Sequence, residues 1–350
     1  MNVRAAPIIV GVVVAALGAG YFISHKSSAP AASKSPSATE QASSAGGGSA
    51  AMIQATVVAT ATPSTASHED GVELVPFGSD DRSLGRGVTG DGHDVAPASF
   101  LADADGLLVL DQEKSRILRS DGTSIRLPSK HADDIARAHD GSLAVLDRTD
   151  TKEVTVLDKD GRVKGHLPIA GTGIEDPSDV SRLIVSGDDV LVERNGGGPL
   201  LRLGGTDGVA AQERTEIQGV PTRDGKFLVS AGVTDEEAGR AWVTLADLQA
   251  VHIWTRELHF PSVISAVAFV DSESNGKLWA VLLAGSSPAD YVNWAVCIDP
   301  TSGSVRGSFT IAAEDPPWAS FRDYAVKDGA GLIAAKRTQG GVSYATYACP

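Results

Sequence analysis

Short runs of apolar and β-branched residues, separated by Asp-Gly or Asn-Gly turns, fill the chain from residue 71 to its C-terminus. In residues 99–128, Asp105-Gly106 separates the run Phe100-Leu101-Ala102 from the apolar stretch that follows it. Asp-Gly between two such runs is a strong hairpin signal, because both turn positions favour a positive φ. No segment shows a sustained apolar period of 3.6 residues. The pattern therefore predicts an all-β fold made of short hairpin-connected strands.

The pattern repeats along the chain in degenerate copies. Six turns each precede an apolar run, at residues 105–106, 140–141, 188–189, 224–225, 275–276 and 328–329. Their spacing brackets the ~40–50 residues of a four-stranded propeller blade. Six such units predict a six-bladed β-propeller, because radial repetition leaves only short sheet edges. A lone strand at residues 71–76 precedes the first copy, and we predict that it completes the last blade and closes the ring.

Two copies carry a more specific motif. The stretches LLVLDQEKSRILRSDG (residues 107–122) and SLAVLDRTDTKEVTVLDKDG (142–161) resemble the NHL-type repeat of six-bladed β-propellers. In that family an Asp and an Arg pair across a turn of one blade, which implies that Asp111 and Arg116 form a structural intra-blade pair. Lys114 or Ser115 stands where the family usually has Asn. The resemblance concerns the fold, because propellers host many unrelated activities.

The N-terminal part of the chain has a different composition. Residues 5–23 form an uncharged apolar run that would span roughly 28 Å as a helix, close to the thickness of a bilayer core. Residues 27–70 are rich in Ala, Ser, Thr and Pro, which predicts a disordered linker. The domains predicted are thus a transmembrane signal-anchor at 1–26, a linker at 27–70 and the propeller at 71–350. The propeller is expected in the periplasm of a bacterial cell, tethered to the inner membrane, or secreted if the N-terminal segment is a cleavable signal peptide.

The composition of the chain limits the classes of partner that it can bind. The formal net charge is −14, and a surface of this sign repels phosphate backbones, which argues against nucleic-acid binding. The chain has 2 cysteines, too few for a disulfide scaffold or a cysteine-based zinc site. Cys297 and Cys349 either pair in an oxidising compartment or stay separate in the core.

One set of polar residues recurs at equivalent positions of the repeat. Ser99, Asp134, Asp179 and Asp323 stand at or near the start of the innermost strand of their blades. Equivalent positions of a propeller surround its central channel, so these residues are candidate binding residues at one channel mouth. Carboxylates there would hold a cation or a basic group. Alternatively, each Asp accepts hydrogen bonds from its own turn.

These observations favour a membrane-tethered binding or scaffold module for a small ligand or a protein partner of the cell envelope. The alternative is a calcium-dependent lactonase or lyase with its site at the channel axis. The sequence contains no complete catalytic set, and no catalytic residue or metal ligand is nominated. Four tryptophans within strand-like runs are expected in the core between blades, namely Trp242, Trp254, Trp279 and Trp294. The loop that carries Trp318 is a candidate partner contact.

Overall fold

A computed structural model describes residues 57–60, 69–88, 94–249, 251–285, 291–312, 314 and 320–350. The chain divides into Met1–Met52 and Ile53–Pro350, and everything described below belongs to the second unit. The predicted anchor at 1–26 lies outside the described residues, as does most of the predicted linker. Within the described ranges, no helix has the length and apolar character needed to cross a membrane.

The first three blades follow an N-terminal group of short strands. That group consists of β1 (Val57–Thr60), β2 (Glu69–Pro76), β3 (Gly87–Val88) and β4 (Asp94–Val95). Blade 1 contains β5 (Ser99–Asp103), β6 (Gly106–Asp111), β7 (Arg116–Arg119) and β8 (Ser124–Arg126). Blade 2 contains β9 (Asp134–Arg137), β10 (Leu143–Asp147), β11 (Glu153–Leu157) and β12 (Val163–Pro168). A 3₁₀ helix, Pro177–Asp179, leads into blade 3, which contains β13 (Val180–Ser186), β14 (Asp189–Arg194), β15 (Leu200–Gly205) and β16 (Glu216–Ile217).

The other three blades complete the ring. Blade 4 contains β17 (Val220–Pro221), β18 (Phe227–Asp235), β19 (Arg240–Asp247) and β20 (His252–His259). Blade 5 contains β21 (Ile264–Ser272), β22 (Leu278–Ala284), β23 (Val292–Ile298) and β24 (Val305–Ala312). Blade 6 contains β25 (Tyr324–Lys327), β26 (Gly331–Thr338) and β27 (Gly341–Tyr347), with β2 as its fourth strand. The all-β six-bladed propeller is confirmed, and each of the six predicted apolar runs forms the second strand of a blade.

The ring closes as the sequence predicts. Strand β2 runs antiparallel to β27, with Val75 opposite Val342. Val75 and Phe77 pack against a buried cluster that includes Phe100 of blade 1 and Tyr344 of blade 6. The N-terminal strand therefore supplies the outer edge of the last blade, and its neighbour Phe77 helps to fill the joint between the last blade and the first.

Blade 4 has a fifth strand. Strand β1 pairs in parallel with β20, with Val57 opposite Arg256 and Thr60 opposite His259. These four residues lie within the range 27–70, for which the sequence predicts a linker. The patch contains β-branched residues, so the outer edge of blade 4 can accept it as an added strand.

The Asp-Gly pairs are hairpin turns. Gly106 has φ 115° between β5 and β6, and Gly122 has φ 84° between β7 and β8. The Asp side chains accept hydrogen bonds from the backbone of their own turns, as Asp121 does from Thr123 at 2.8 Å. Positive φ at the second turn position explains why glycine recurs there.

Asp111 and Arg116 form the pair that the NHL resemblance implies. Arg116 Nε donates to Asp111 Oδ2 at 3.1 Å, and both residues are buried. Arg116 Nη1 also donates to the carbonyl of Asp81 at 2.8 Å, while the backbone N–H of Gly85 donates to Asp111 Oδ1 at 3.1 Å. The pair thus also fastens the loop after β2 to blade 1.

A disulfide joins the last two blades. Cys297 in β23 bonds to Cys349, which follows β27, with the two Cα atoms 5.9 Å apart. Around it, Trp279, Phe309 and Tyr347 belong to one buried cluster between blades 5 and 6. The ring is therefore held at its C-terminal end by a covalent bond as well as by packing.

Candidate functional site at the axial mouth

The innermost strands of the blades line the central channel. Strand pairs β5–β9, β9–β13 and β25–β5 are in contact around this axis. Because every blade repeats the same path of antiparallel strands, the first residues of the inner strands lie at the same mouth of the channel. We call this end the axial mouth.

A segment preceding blade 6 crosses the axial mouth. The backbone N–H groups of Phe321 and Arg322 donate to the carbonyl of Ala98 at 2.8 and 2.9 Å. From there the Arg322 side chain reaches two other blades, because its Nη2 donates to Asp134 Oδ2 at 2.5 Å and to the Leu183 carbonyl at 2.6 Å. Arg322 therefore connects blade 6 to blades 2 and 3 across the channel.

Asp134 receives hydrogen bonds from several blades. Its carboxylate is fully buried. Ser99 Oγ and the backbone N–H of Ile135 donate to Oδ1 at 2.5 and 2.9 Å. The backbone N–H of Leu183 donates to Oδ2 at 2.8 Å, beside the bond from Arg322. A buried carboxylate is retained only where such donors compensate its lost hydration, so Asp134 acts as a structural hub of the mouth.

The four candidate residues do not form one ring of carboxylates. Ser99 and Asp134 are in contact, but Asp323 Oδ1 binds Arg337 Nη1 at 2.7 Å. Asp179 is half-buried in the short 3₁₀ helix. The part of the chain that the structure describes contains no group of three or more His, Cys, Asp or Glu side chains suited to a metal ion. The role of these residues in binding stays a prediction.

A cavity opens on the axial side of blade 4. Its inner strand, β17, has only two residues, and two residues, Gln218 and Gly219, separate it from β16 of blade 3. Strand β18 extends well beyond this short partner. Gly219 in the connection has φ 102°, and a Cβ there would meet Ser230 Oγ at 2.5 Å. The result is a cavity of about 350 Å³ between blades 3, 4 and 5 and the segment at Phe321 and Arg322.

Aromatic side chains form part of the cavity wall. Trp242, Phe269 and Phe321 all line it. The expectation that Trp242 belongs to the core is wrong, because this tryptophan is half-buried and lines the cavity wall. The other three tryptophans named above are buried, as expected. Trp318 lies outside the described residues.

Two buried arginines also line the cavity, and Arg182 is the first. Its Nη1 donates to the Val270 carbonyl at 2.6 Å, and its Nη2 lies 3.3 Å from Asp271 Oδ2. Its guanidinium stacks over the ring of Phe269, 4.6 Å from the ring centroid. Burial lowers the pKa of Arg182, the charge of Asp271 opposes this, and repulsion from Arg322 lowers the pKa further. Arg182 and Arg322 are therefore close enough to repel each other.

Both arginines retain an unused donor. Arg182 and Arg322 are each 9% exposed, and the Nε of each is buried without a hydrogen-bond partner. A buried donor without a partner costs about 1–3 kcal/mol. Glu193 also lines the cavity, and its Oε2 accepts a hydrogen bond from Ser181 at 3.2 Å. The cavity thus combines an aromatic wall, two cationic groups and one carboxylate.

Sequence reasoning did not nominate Arg182, although one signal was present. Arg182 interrupts the apolar run of β13, and an arginine inside such a run has to find a buried partner. Its partner Asp271 lies 89 residues away, so no local pattern reveals the pair. Arg322 follows the loop that carries Trp318, and its contact with Asp134, 188 residues away, is equally invisible in the sequence.

The comparisons with known proteins concern the fold. No protein-family model matches this sequence, and no curated protein matches it. Among solved structures, the chain is similar to a gluconolactonase from Xanthomonas campestris, with 14% identity over 78% of this chain and 97% of that one and a TM-score of 0.40. It is also similar to a DUF4221 family member from Bacteroides vulgatus, with 8% identity over 80% and 99% of the two chains and a TM-score of 0.45. Similarities this low say nothing about the activity of this chain.

Proposed function

We propose that this protein is a binding module whose small-molecule ligand occupies the axial cavity. The observation that carries the proposal is a cavity of about 350 Å³ whose wall combines aromatic side chains with the buried residues Arg182 and Arg322. Ligand pockets of proteins are typically ~300–1,000 Å³ in size, largely apolar, with a few precisely placed polar groups. The cavity has a volume within this range and a wall that combines aromatic side chains with a few charged groups, and it lies between blades 3, 4 and 5.

A cavity-filling variant tests this proposal. Ala231 lines the cavity on β18, so Ala231→Phe fills part of its volume. Ala238 is exposed in the turn after the same strand, which makes Ala238→Phe the matched control. A small-molecule library is screened by ligand-detected NMR. We expect the compounds that bind the wild-type chain to lose binding to Ala231→Phe and to keep it with Ala238→Phe. Compounds that bind both variants equally, or a screen without binders, would contradict the proposal.

The same proposal places the module outside the cytoplasm on a membrane tether. Support comes from the uncharged run at residues 5–23 and the low-complexity composition of residues 27–70. The Cys297–Cys349 disulfide also supports it, because disulfides persist in oxidising compartments. Cell fractionation with an antibody to the propeller is the test, and full-length protein found in the cytosolic fraction would argue against the tether.

We further propose that blades 1 and 2 are NHL-type repeats. The Asp111–Arg116 pair supports this assignment in blade 1. Ser115 and Lys152 adopt φ 50° and 54° in the corresponding turns of the two blades. This left-handed conformation is one that Asn adopts readily, and Asn is the usual residue in the family's turn. An alignment of related chains with Asn in these turns would support the assignment.

The alternative function is a calcium-dependent lactonase or lyase. The carboxylate of Asp134 is the axial group such an enzyme would use, but four donors including Arg322 already bind it. A calcium ion would have to displace the guanidinium of Arg322. Isothermal titration with calcium separates the two, because saturable binding that Asp134→Asn abolishes would favour the enzyme.

A further inference from the structure

We infer that the ligand of the axial cavity is a neutral sugar ring, a pyranose, that stacks on Trp242. This inference rests on the proposed function, because it names the chemical class of the molecule in the same cavity. It is carried by the charge balance of the wall, by the unused acceptor capacity of Glu193 and by the position of the indole ring.

The charged groups of the wall compensate one another. Arg182 stands opposite Glu193 in the register of β13 and β14, and its Nη2 lies 3.3 Å from Asp271 Oδ2. Burial and the charge of Arg322 lower the pKa of Arg182, whereas the carboxylates beside it oppose this shift. Arg322 has its own counter-charge in Asp134. A cation would be repelled by the arginines and an anion by Glu193, so the wall favours a neutral ligand.

The carboxylate of Glu193 can accept further hydrogen bonds. Within the described ranges it has one, in which Ser181 Oγ donates to Oε2 at 3.2 Å, and a carboxylate can accept about four. Glu193 is half-buried and lines the cavity. An ammonium donor would be repelled by Arg182 and Arg322, whereas a hydroxyl group donates without carrying a net charge. The hydroxyl groups on the rim of a pyranose supply such donors in a molecule that stays neutral.

Uncharged polar groups line the same cavity. Gln218 precedes β17 and Ser230 belongs to β18, and both side chains can donate as well as accept. On the side of blade 3, the glycine turn 196–198 contributes backbone to the wall. At Gly197, with φ 93°, the position of a Cβ faces open space, so a ligand can approach this backbone closely. These groups suit a ligand that carries several hydroxyl groups around its rim.

The indole ring of Trp242 offers a flat apolar surface on the wall. Trp242 in β19 lies opposite Gly232 of β18. A Cβ at Gly232 would come within 2.7 Å of the indole atoms Cε2, Cζ2 and Nε1, so the ring rests directly on the backbone of β18. Gly232 is not among the glycines with a positive φ, and the space taken by the ring therefore explains this glycine. Because Trp242 is half-buried and lines the cavity, it can stack on the C–H face of a sugar ring.

Two other aromatic rings of the wall already hold a guanidinium group. Arg182 lies 4.6 Å from the ring centroid of Phe269, and Arg148 lies 4.5 Å from that of Phe321. One face of each ring is therefore engaged in a cation–π contact. We accordingly assign the stacking surface for the ligand to Trp242.

Two series of sugars that differ in charge test the inference. D-glucose and D-galactose are the neutral probes, and each is compared with its uronate and its amino sugar in mildly acidic solution, where the amino sugar is cationic. The full chain is labelled with ¹⁵N-tryptophan, and the indole N–H signals are followed during titration at constant ionic strength. Trp242→Phe assigns the signal of Trp242. Trp279 is the internal control, because it is buried between blades 5 and 6 and does not line the cavity.

We expect the neutral sugar of at least one series to shift the Trp242 signal saturably and to leave the Trp279 signal unchanged. It should bind at least about tenfold more tightly than its uronate and its amino sugar. Glu193→Gln should weaken this binding by about fivefold, because it replaces a charge-assisted acceptor with a neutral one. Glu213→Gln is the matched control, since Glu213 is exposed in blade 3 and does not line the cavity, and it should leave the affinity unchanged.

Several outcomes would overturn the inference. They are a Trp242 signal that neither neutral sugar shifts, a charged analogue that binds as tightly as its neutral parent, and an affinity that Glu193→Gln does not change. The proposed function survives such a result if compounds of the small-molecule library shift the Trp242 signal and Ala231→Phe abolishes their binding. It fails together with the inference if Ala231→Phe leaves the affinity of every sugar and library compound unchanged.

Discussion

Arg322 and Asp134 are 188 residues apart in the sequence and form a buried ion pair of 2.5 Å across the axial mouth. The pair connects the segment before blade 6 with the inner strand of blade 2. The same arginine nitrogen also binds the Leu183 carbonyl of blade 3. Opposite sides of the ring are therefore joined at one mouth of the channel by a single side chain.

Removing the carboxylate of this pair should strongly destabilise the propeller. Asp134→Ala leaves Arg322 buried without its counter-charge, and such a loss costs about 3–5 kcal/mol of the free energy of unfolding. Urea denaturation followed by fluorescence measures the effect. The double variant Asp134→Leu with Arg322→Met removes both charges, and we expect it to be more stable than Asp134→Ala.

Asp179→Ala is the matched control for this prediction, because Asp179 belongs to the same set of sequence candidates but is only half-buried. Its effect should stay within about 0.5 kcal/mol. Equal losses for Asp134→Ala and Asp179→Ala would show that the hub at Asp134 has no special structural role.

The buried Asp271 should make stability depend on pH in the acid range. Burial raises the pKa of Asp271, but the charges of Arg223 and Arg182 outweigh burial and hold the pKa below its usual value. The unfolded state therefore binds a proton at higher pH than the folded state does. This contribution to stability is fully present above about pH 5 and is lost as the pH falls below about 4.

Denaturation of the wild-type chain and of Asp271→Asn between pH 3 and 7 measures this dependence. The difference in free energy of unfolding between the two should be largest near neutral pH and shrink towards pH 3. A difference that stays constant for Asp271→Asn across this range would count against the assignment.

Reduction of the disulfide should weaken the joint between blades 5 and 6. Cys297 and Cys349 are separated by 52 residues, and closing a loop of this length stabilises a protein by about 4 kcal/mol in the chain-entropy description. Thermal unfolding with and without a reductant tests this. The variant with both cysteines changed to Ala should be insensitive to reductant, and an unchanged melting temperature of the reduced wild-type chain would refute the prediction.

Loss of β2 should open the ring. Deletion of residues 1–77 removes the outer strand of blade 6 together with Val75 and Phe77, which pack against the joint between blades 6 and 1. Full burial of such a side chain contributes about 1.5–3 kcal/mol; both are partly buried, so the free energy of unfolding should fall by about 2 kcal/mol or more. Deletion of residues 1–56 keeps every described strand and serves as the control. Similar stability of the two truncated chains would disprove closure by β2.

Much of the scaffold was predictable because its determinants are local. The turns at Gly106 and Gly122 follow from Asp-Gly dipeptides, and Asp111 and Arg116 are close in sequence as well as in space. The closing strand β2 was also predictable, since a ring of repeats requires a partner for its last blade. The strand with which β1 pairs was not predictable, because a short β-branched patch does not specify the sheet edge that accepts it.

The sequence by itself determined the all-β architecture, the number of blades and the strand that closes them, because hairpin turns and repeated apolar runs are encoded within short stretches of chain. Only the tertiary structure decided the candidate site. The cavity lies beside the two-residue strand β17, and its arginines are held by carboxylates that stand 89 and 188 residues away. Two residues so far apart in the chain produce no recognisable pattern in the sequence, because only the closed ring brings the arginine and its carboxylate together.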